Sequence, residues 1–116
     1  MEIPESAVRL RIVLGESDRW EHQPSYEAIV CKARAAGLAG ATVLRGPMGF
    51  GAGSHIHTAK ILQLSADLPF VIEIVDAREK IEAFLPTVKA ILRGGLITLE
   101  EVQVVHYQAG QDAKPA

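Results

Sequence analysis

The chain has 116 residues, 48% apolar and 22% charged, enough for one compact domain and too few for two. Its formal net charge is −2, from 12 basic and 14 acidic side chains, so no chain-wide positive field exists to hold a nucleic-acid backbone, and no nucleic-acid partner is expected. No apolar run approaches the roughly 20 residues of a bilayer span, Met1 to Glu5 lack the basic and apolar regions of a signal peptide, and a single cysteine closes no intrachain disulfide, so a reducing, cytoplasmic setting without membrane insertion is expected.

Val8, Leu10, Ile12 and Leu14 alternate with Ala7, Arg9, Arg11 and Val13, the period-2 pattern of a strand with one buried face. Glu16, Ser17, Asp18 and Arg19 then form a charged turn, and Trp20 beside them is expected to line a cleft or a subunit contact. Pro24 can open a helix in which Tyr26, Ile29, Val30 and Ala33 fall at i, i+3, i+4 and i+7, with Gly37 at its exit. Cys31 lies within that pattern and reads as a small packing residue. Ala41 to Leu44 form a second short strand.

The segment from Arg45 to Thr58 follows, with Gly46, Gly49, Gly51 and Gly53 ahead of a His55-x-His57 pair. So few side chains and so much torsional freedom predict a long, mobile loop presenting backbone N–H groups and two imidazoles. Phe70 to Val75 is a near-continuous β-branched run, as in a central strand. Asp76 and Glu79 give the Asp-x-x-Glu form of a helix start, and Ile81, Phe84, Leu85, Val88 and Leu92 supply an apolar stripe. A helix-interior proline costs about 3 kcal/mol, so a kink or early break is expected at Pro86. Gly94-Gly95 leads into a last strand through Leu96 to Thr98, Val102, Val104 and Val105. Residues 108–116 are polar and small and are expected to be disordered, leaving 1–107 as one domain.

The order β-α-β-β-α-β predicts an α+β, ferredoxin-like fold, a four-stranded antiparallel sheet with two helices on one face. In that topology the end of strand one, the glycine-rich loop and the turn before strand four share one edge, so Glu16, Arg19 and Arg93-Gly94-Gly95 should neighbour the loop. The bare sheet face should carry Val13, Val71, Val75 and Val105 with Arg9, Arg11 and Glu73, a composition that favours self-association through the sheet. No helix follows the loop, so it is neither a Walker-type nor a Rossmann motif.

Consecutive glycines let backbone N–H groups converge on an anionic oxygen, and Arg93 can add a charge-assisted contact to phosphate. His55 and His57 project to one side of an extended loop, but two ligands do not complete a metal centre, and no metal set is assigned.

Gly49-Phe50-Gly51, His55, Thr58, Leu68-Pro69 leading into Val71 to Val75, and Arg93-Gly94-Gly95-Leu96-Ile97 resemble a PII-type signalling protein. Gly15-Glu16, Tyr26 to Val30, Gly37 to Val43 and Arg45-Gly46 more closely resemble the PII-like family called domain of unknown function 190, over residues 7 to 107. The resemblance implies a homotrimer that binds an adenine nucleotide in clefts between subunits and switches the loop 46–60 to control a target protein, with a membrane transporter a conceivable target. No essential cofactor is implied. Gly49, Phe50 and Gly51 match the base of the target loop, with His55 and His57 at its tip. Arg93, Gly94 and Gly95 match a phosphate-cradling turn, where Leu96 stands in place of a lysine and so favours AMP or ADP over a triphosphate. Glu16 and Arg19 complete the expected ligand-binding set.

Two other readings share the fold. A trimeric metal-tolerance protein similar to the CutA proteins would use the histidines. An acyl phosphate hydrolase would need an asparagine to position water, and this chain contains none. A non-catalytic regulatory protein is preferred over either.

Overall fold

The alternation along the first strand becomes β1 (Ser6–Gly15), whose Val8, Leu10, Ile12 and Leu14 are buried on one face. Around it, the computed structural model, which describes residues 2–51, the backbone of 57 and 58, and residues 67–110, builds α1 (Ser25–Ala35), β2 (Thr42–Arg45), β3 (Pro69–Asp76), α2 (Arg78–Ile91) and β4 (Leu96–Gln103). The sheet order is β2-β3-β1-β4, antiparallel throughout, as the ferredoxin-like order requires. Among the described residues, no helix is long and apolar enough to cross a membrane.

Phe70, Ile72 and Ile74 continue the buried face of β1 across β3, because directly paired strand residues share a face. Ala28, Ile29 and Ala33 from α1 and Ile81, Phe84, Val88 and Ile91 from α2 close over it. Tyr26 meets Phe70 edge-on, with ring centroids 4.5 Å apart. Helix α2 runs through Pro86 to Ile91 without the expected break. Pro86 is exposed, so water can reach the carbonyl it leaves unbonded, while the four buried side chains of α2 offset the lost bond.

Three expectations are corrected, those for Asp76, Cys31 and Val105. Asp76 does not cap α2; the N-cap is Ala77, without a side-chain bond. Asp76 is instead fully buried, where its carboxylate accepts from Ala77 N–H at 2.7 Å and from Ala39 N–H at 2.9 Å, tying the loop after α1 to the start of α2. Cys31 is exposed, one position off the apolar stripe. Trp20 packs on the core beside α1, with Lys32 Nζ 5.4 Å from its ring centroid, and stands in a hairpin pairing Arg19–Trp20 with Gln23–Pro24. Val105 lies beyond β4 and is 92% exposed.

The sheet face away from the helices carries Val13, Val71 and Val75, half-buried, with Leu44 and Leu96 exposed at its edges. Two cross-strand ion pairs sit among them: Arg11 Nη2 to Glu73 Oε2 and Arg9 Nη1 to Glu100 Oε1, both at 2.6 Å.

Replacing Asp76 with Ala removes the acceptor from two backbone N–H groups, and is expected to lower the unfolding free energy by about 2–3 kcal/mol in urea denaturation. A loss below about 0.5 kcal/mol would show that this carboxylate does not hold the junction.

Candidate functional site

The site forms where β1 ends. Register places Gly15 opposite Pro69 of β3 and Val13 opposite Leu96 of β4, so the segments entering those strands meet at one edge. They enclose a cavity of about 480 Å³, within the size range of small-molecule sites. Val13, Leu14, Gly15 and Asp18 come from the end of β1 and its turn, Gly49, Phe50 and Gly51 from the outgoing stem of the glycine-rich segment, Asp67 and Pro69 from its return, and Gly94, Gly95 and Leu96 from the turn before β4.

Two close approaches explain why this wall is rich in glycine. At Gly49, a Cβ would stand 2.9 Å from Pro69 Cγ, so the stem lies against the proline ring only without a side chain. At Gly95, with φ of +134°, a Cβ would stand 2.3 Å from the Val13 carbonyl oxygen, closer than any side chain permits. The stem is fixed further by Gly46 N–H to Pro69 O at 2.7 Å and by pairing of Met48–Gly49 with His57–Thr58.

The turn after β1 reaches both stems. Glu16 N–H donates to Leu68 O at 2.8 Å, and Ser17 N–H donates to Asp67 Oδ1 at 2.7 Å. Asp18 Oδ2 accepts from Gly15 N–H at 3.1 Å. Glu16 takes Arg45 as an ion-pair partner at 3.0 Å. Among the described residues, the charged side chains lining the cavity are thus both acids, Asp18 and Asp67.

Of the residues expected from sequence, Gly49, Phe50, Gly51, Gly94, Gly95 and Leu96 meet at this cavity. Glu16 lies beside it but turns to Arg45, and Arg19 Nη2 donates to the His22 carbonyl at 2.8 Å within the hairpin. Arg93 is exposed beside Gly94 and is not part of the lining. His55 lies outside the described residues, and of His57 only the backbone is described. Sequence reasoning did not assign Asp67 to the site. Its signal was the position just before Leu68-Pro69, since the start of an antiparallel neighbour must lie beside the end of strand one.

The profile of the DUF190 family, described as an uncharacterized ACR, matches residues 7–104. The chain belongs to the DUF190 family. A UPF0166 protein of Aquifex aeolicus is 42% identical to it over 97 residues, covering 84% of this chain and 91% of the relative. A UPF0166 protein of Methanocaldococcus jannaschii is 34% identical over 96 residues, covering 82% and 88%. Among solved structures, CPII of Thiomonas intermedia K12, a nitrogen regulatory PII-like protein bound to ADP, AMP and bicarbonate, aligns at TM-score 0.62 and 17% identity over 85% of this chain and 94% of its own. A putative PII-like signaling protein of Thermus thermophilus aligns at TM-score 0.61 and 18% identity, covering 86% and 90%. At these identities the likeness shows a shared fold, so this DUF190 protein has the PII-like form of the ferredoxin-like fold.

The cavity wall makes a sharp contrast between neighbouring glycines. Gly95→Ala, facing both the Val13 carbonyl and a positive φ, is expected to cost about 2 kcal/mol or more. Gly94→Ala, with nothing within 4 Å of its Cβ, should stay within about 0.5 kcal/mol of the parent in the same denaturation assay. Equal costs for the two would contradict the described turn.

Proposed function

We propose that this DUF190 protein is a non-catalytic regulatory protein that binds an adenine nucleotide, AMP or ADP, at the cavity where β1 ends, with a second copy of the chain completing the cleft. Binding sets the arrangement of loop 46–60, and a target protein reads that arrangement; the ligand controls it to the extent that it binds one loop state more tightly than the other. The observation that carries this reading is the cavity itself, glycine-walled on two sides, with Phe50 at its rim 72% exposed. An exposed ring at the mouth of a cavity offers a stacking surface for a base, and the glycine turn at 94 and 95 offers backbone N–H groups to a phosphate, with Arg93 next to it in sequence. That a PII-like protein of the same fold holds ADP and AMP supports the ligand class.

A homotrimer is the assembly this function requires. Its support is the helix-free sheet face, where Val13, Val71 and Val75 are accompanied by paired rather than isolated charges. Charges already neutralised by a neighbour are less costly to cover than single ones.

The test is a thermal-shift and calorimetric screen with AMP, ADP and ATP. Phe50→Ala is expected to weaken AMP binding by about tenfold to a hundredfold, the worth of one base–aromatic stack, with the fold unchanged. Stabilisation by no adenine nucleotide would remove the proposed ligand. Val71→Glu is expected to convert the trimer to monomers in sedimentation velocity and to abolish nucleotide binding with it. Binding by a stable monomer would contradict the shared cleft.

A further inference from the structure

The cavity is uneven in charge along β1. At its Gly15 end, a Cβ on Gly15 would stand 2.9 Å from both carboxylate oxygens of Asp67 and 3.1 Å from Asp18 Oδ1. Two carboxylates therefore crowd one point, their oxygens no more than about 6 Å apart. Each is held by one backbone N–H, Gly15 to Asp18 Oδ2 and Ser17 to Asp67 Oδ1. The other oxygens, Asp18 Oδ1 and Asp67 Oδ2, accept no hydrogen bond from the described residues. The glycine turn lies two residues back along β1, where Gly95 meets Val13, or about 7 Å away at the strand rise. No lysine or arginine lines the cavity among the described residues. Arg45 is engaged by Glu16 and Arg19 by the His22 carbonyl.

A phosphate placed at the Gly15 end would face two like charges without an intervening cation, whereas neutral O–H donors would find two charged acceptors already oriented for them. We propose that Asp18 and Asp67 recognise the ribose of the ligand, accepting hydrogen bonds from its 2′- and 3′-hydroxyls, and thereby turn the phosphate toward the Gly94–Gly95 turn. This rests on the reading of the cavity as a nucleotide site and adds to it an orientation and a specificity. The two acids act as positioning residues: they select ribonucleotides over deoxyribonucleotides and keep inorganic phosphate out of the Gly15 end. Gly15 belongs to the same device, since a side chain there would displace both carboxylates.

Calorimetric titration of the full chain with AMP, 2′-deoxy-AMP, 3′-deoxy-AMP and inorganic phosphate, with Mg²⁺ and with EDTA, tests this. The parent protein is expected to bind AMP at least tenfold more tightly than either deoxy form, with no dependence on Mg²⁺. Asp67→Asn keeps an acceptor for Ser17 N–H and should remain folded. It should weaken AMP while leaving nearly unchanged the one deoxy form that lacks the hydroxyl held by Asp67, collapsing the preference over that form to within about threefold. Asp18→Asn is the second variant and should collapse the preference over the other deoxy form in the same way. Three outcomes overturn the proposal: equal affinity of the parent for AMP and both deoxy forms, an undiminished preference in both variants, or AMP binding that EDTA abolishes, which would make the acids holders of a cation that carries the phosphate. Failure of the parent to bind AMP at all is a separate result, and removes the nucleotide reading together with this one.

Discussion

The organising constraint of this molecule is that β1 is paired along both edges. Eight residues of β1 pair with β3 and eight with β4, and the two ladders overlap from Val8 to Val13. A strand held on both sides cannot slip by one residue without turning its whole apolar set away from the core. Its end therefore fixes where β3 begins and where β4 begins, and with them the segments that lead into each strand. The cavity is a consequence of that register, and its walls are chain segments that the core has already positioned.

On that frame the site is assembled from backbone more than from side chains. Close approaches at Pro69 and at the Val13 carbonyl require glycine, and each glycine leaves a wall without a side chain in which N–H groups can face a ligand. The turn after β1 adds the coupling. Through Glu16 and Ser17 it bonds to Leu68 and Asp67 on the returning stem, and through the Glu16 carboxylate to Arg45 at the start of the outgoing one. The same turn thus touches both stems of the glycine-rich segment, which under the proposed function is the route by which a shift at the cavity floor would reach them. This short mechanical link supports the reading of the protein as a sensor whose loop reports occupancy.

The sequence made the strands and helices legible wherever burial is one-sided. Val8 to Leu14 and Ile81 to Val88 carry their own periods, and the order of elements followed from them. It was less informative where one pattern serves two purposes. Asp-x-x-Glu looks the same whether the aspartate caps its helix or, as Asp76 does, turns inward to bind the loop after α1. Pro86 was weighed for its missing N–H alone, although its exposed position and the buried stripe around it decide the outcome. The hairpin at 19–24 was hidden because its turn places Glu21 and His22 at positive φ, where glycine or asparagine would have announced it. Six residues that line the cavity were legible as glycine or loop positions around one edge; Asp67 was not, because its place there depends on pairing across fifty residues.

The central claim, that an adenine nucleotide occupies the cavity at the end of β1, is tested most directly by amide NMR of the protein titrated with AMP. The account predicts shifts concentrated at Gly15, Gly49, Gly51, Gly94, Gly95 and Leu96, the residues that wall the cavity. Saturable shifts centred instead on the separate hollow formed by Glu2, Ile3, Pro4 and Tyr107 would place the ligand elsewhere and contradict it.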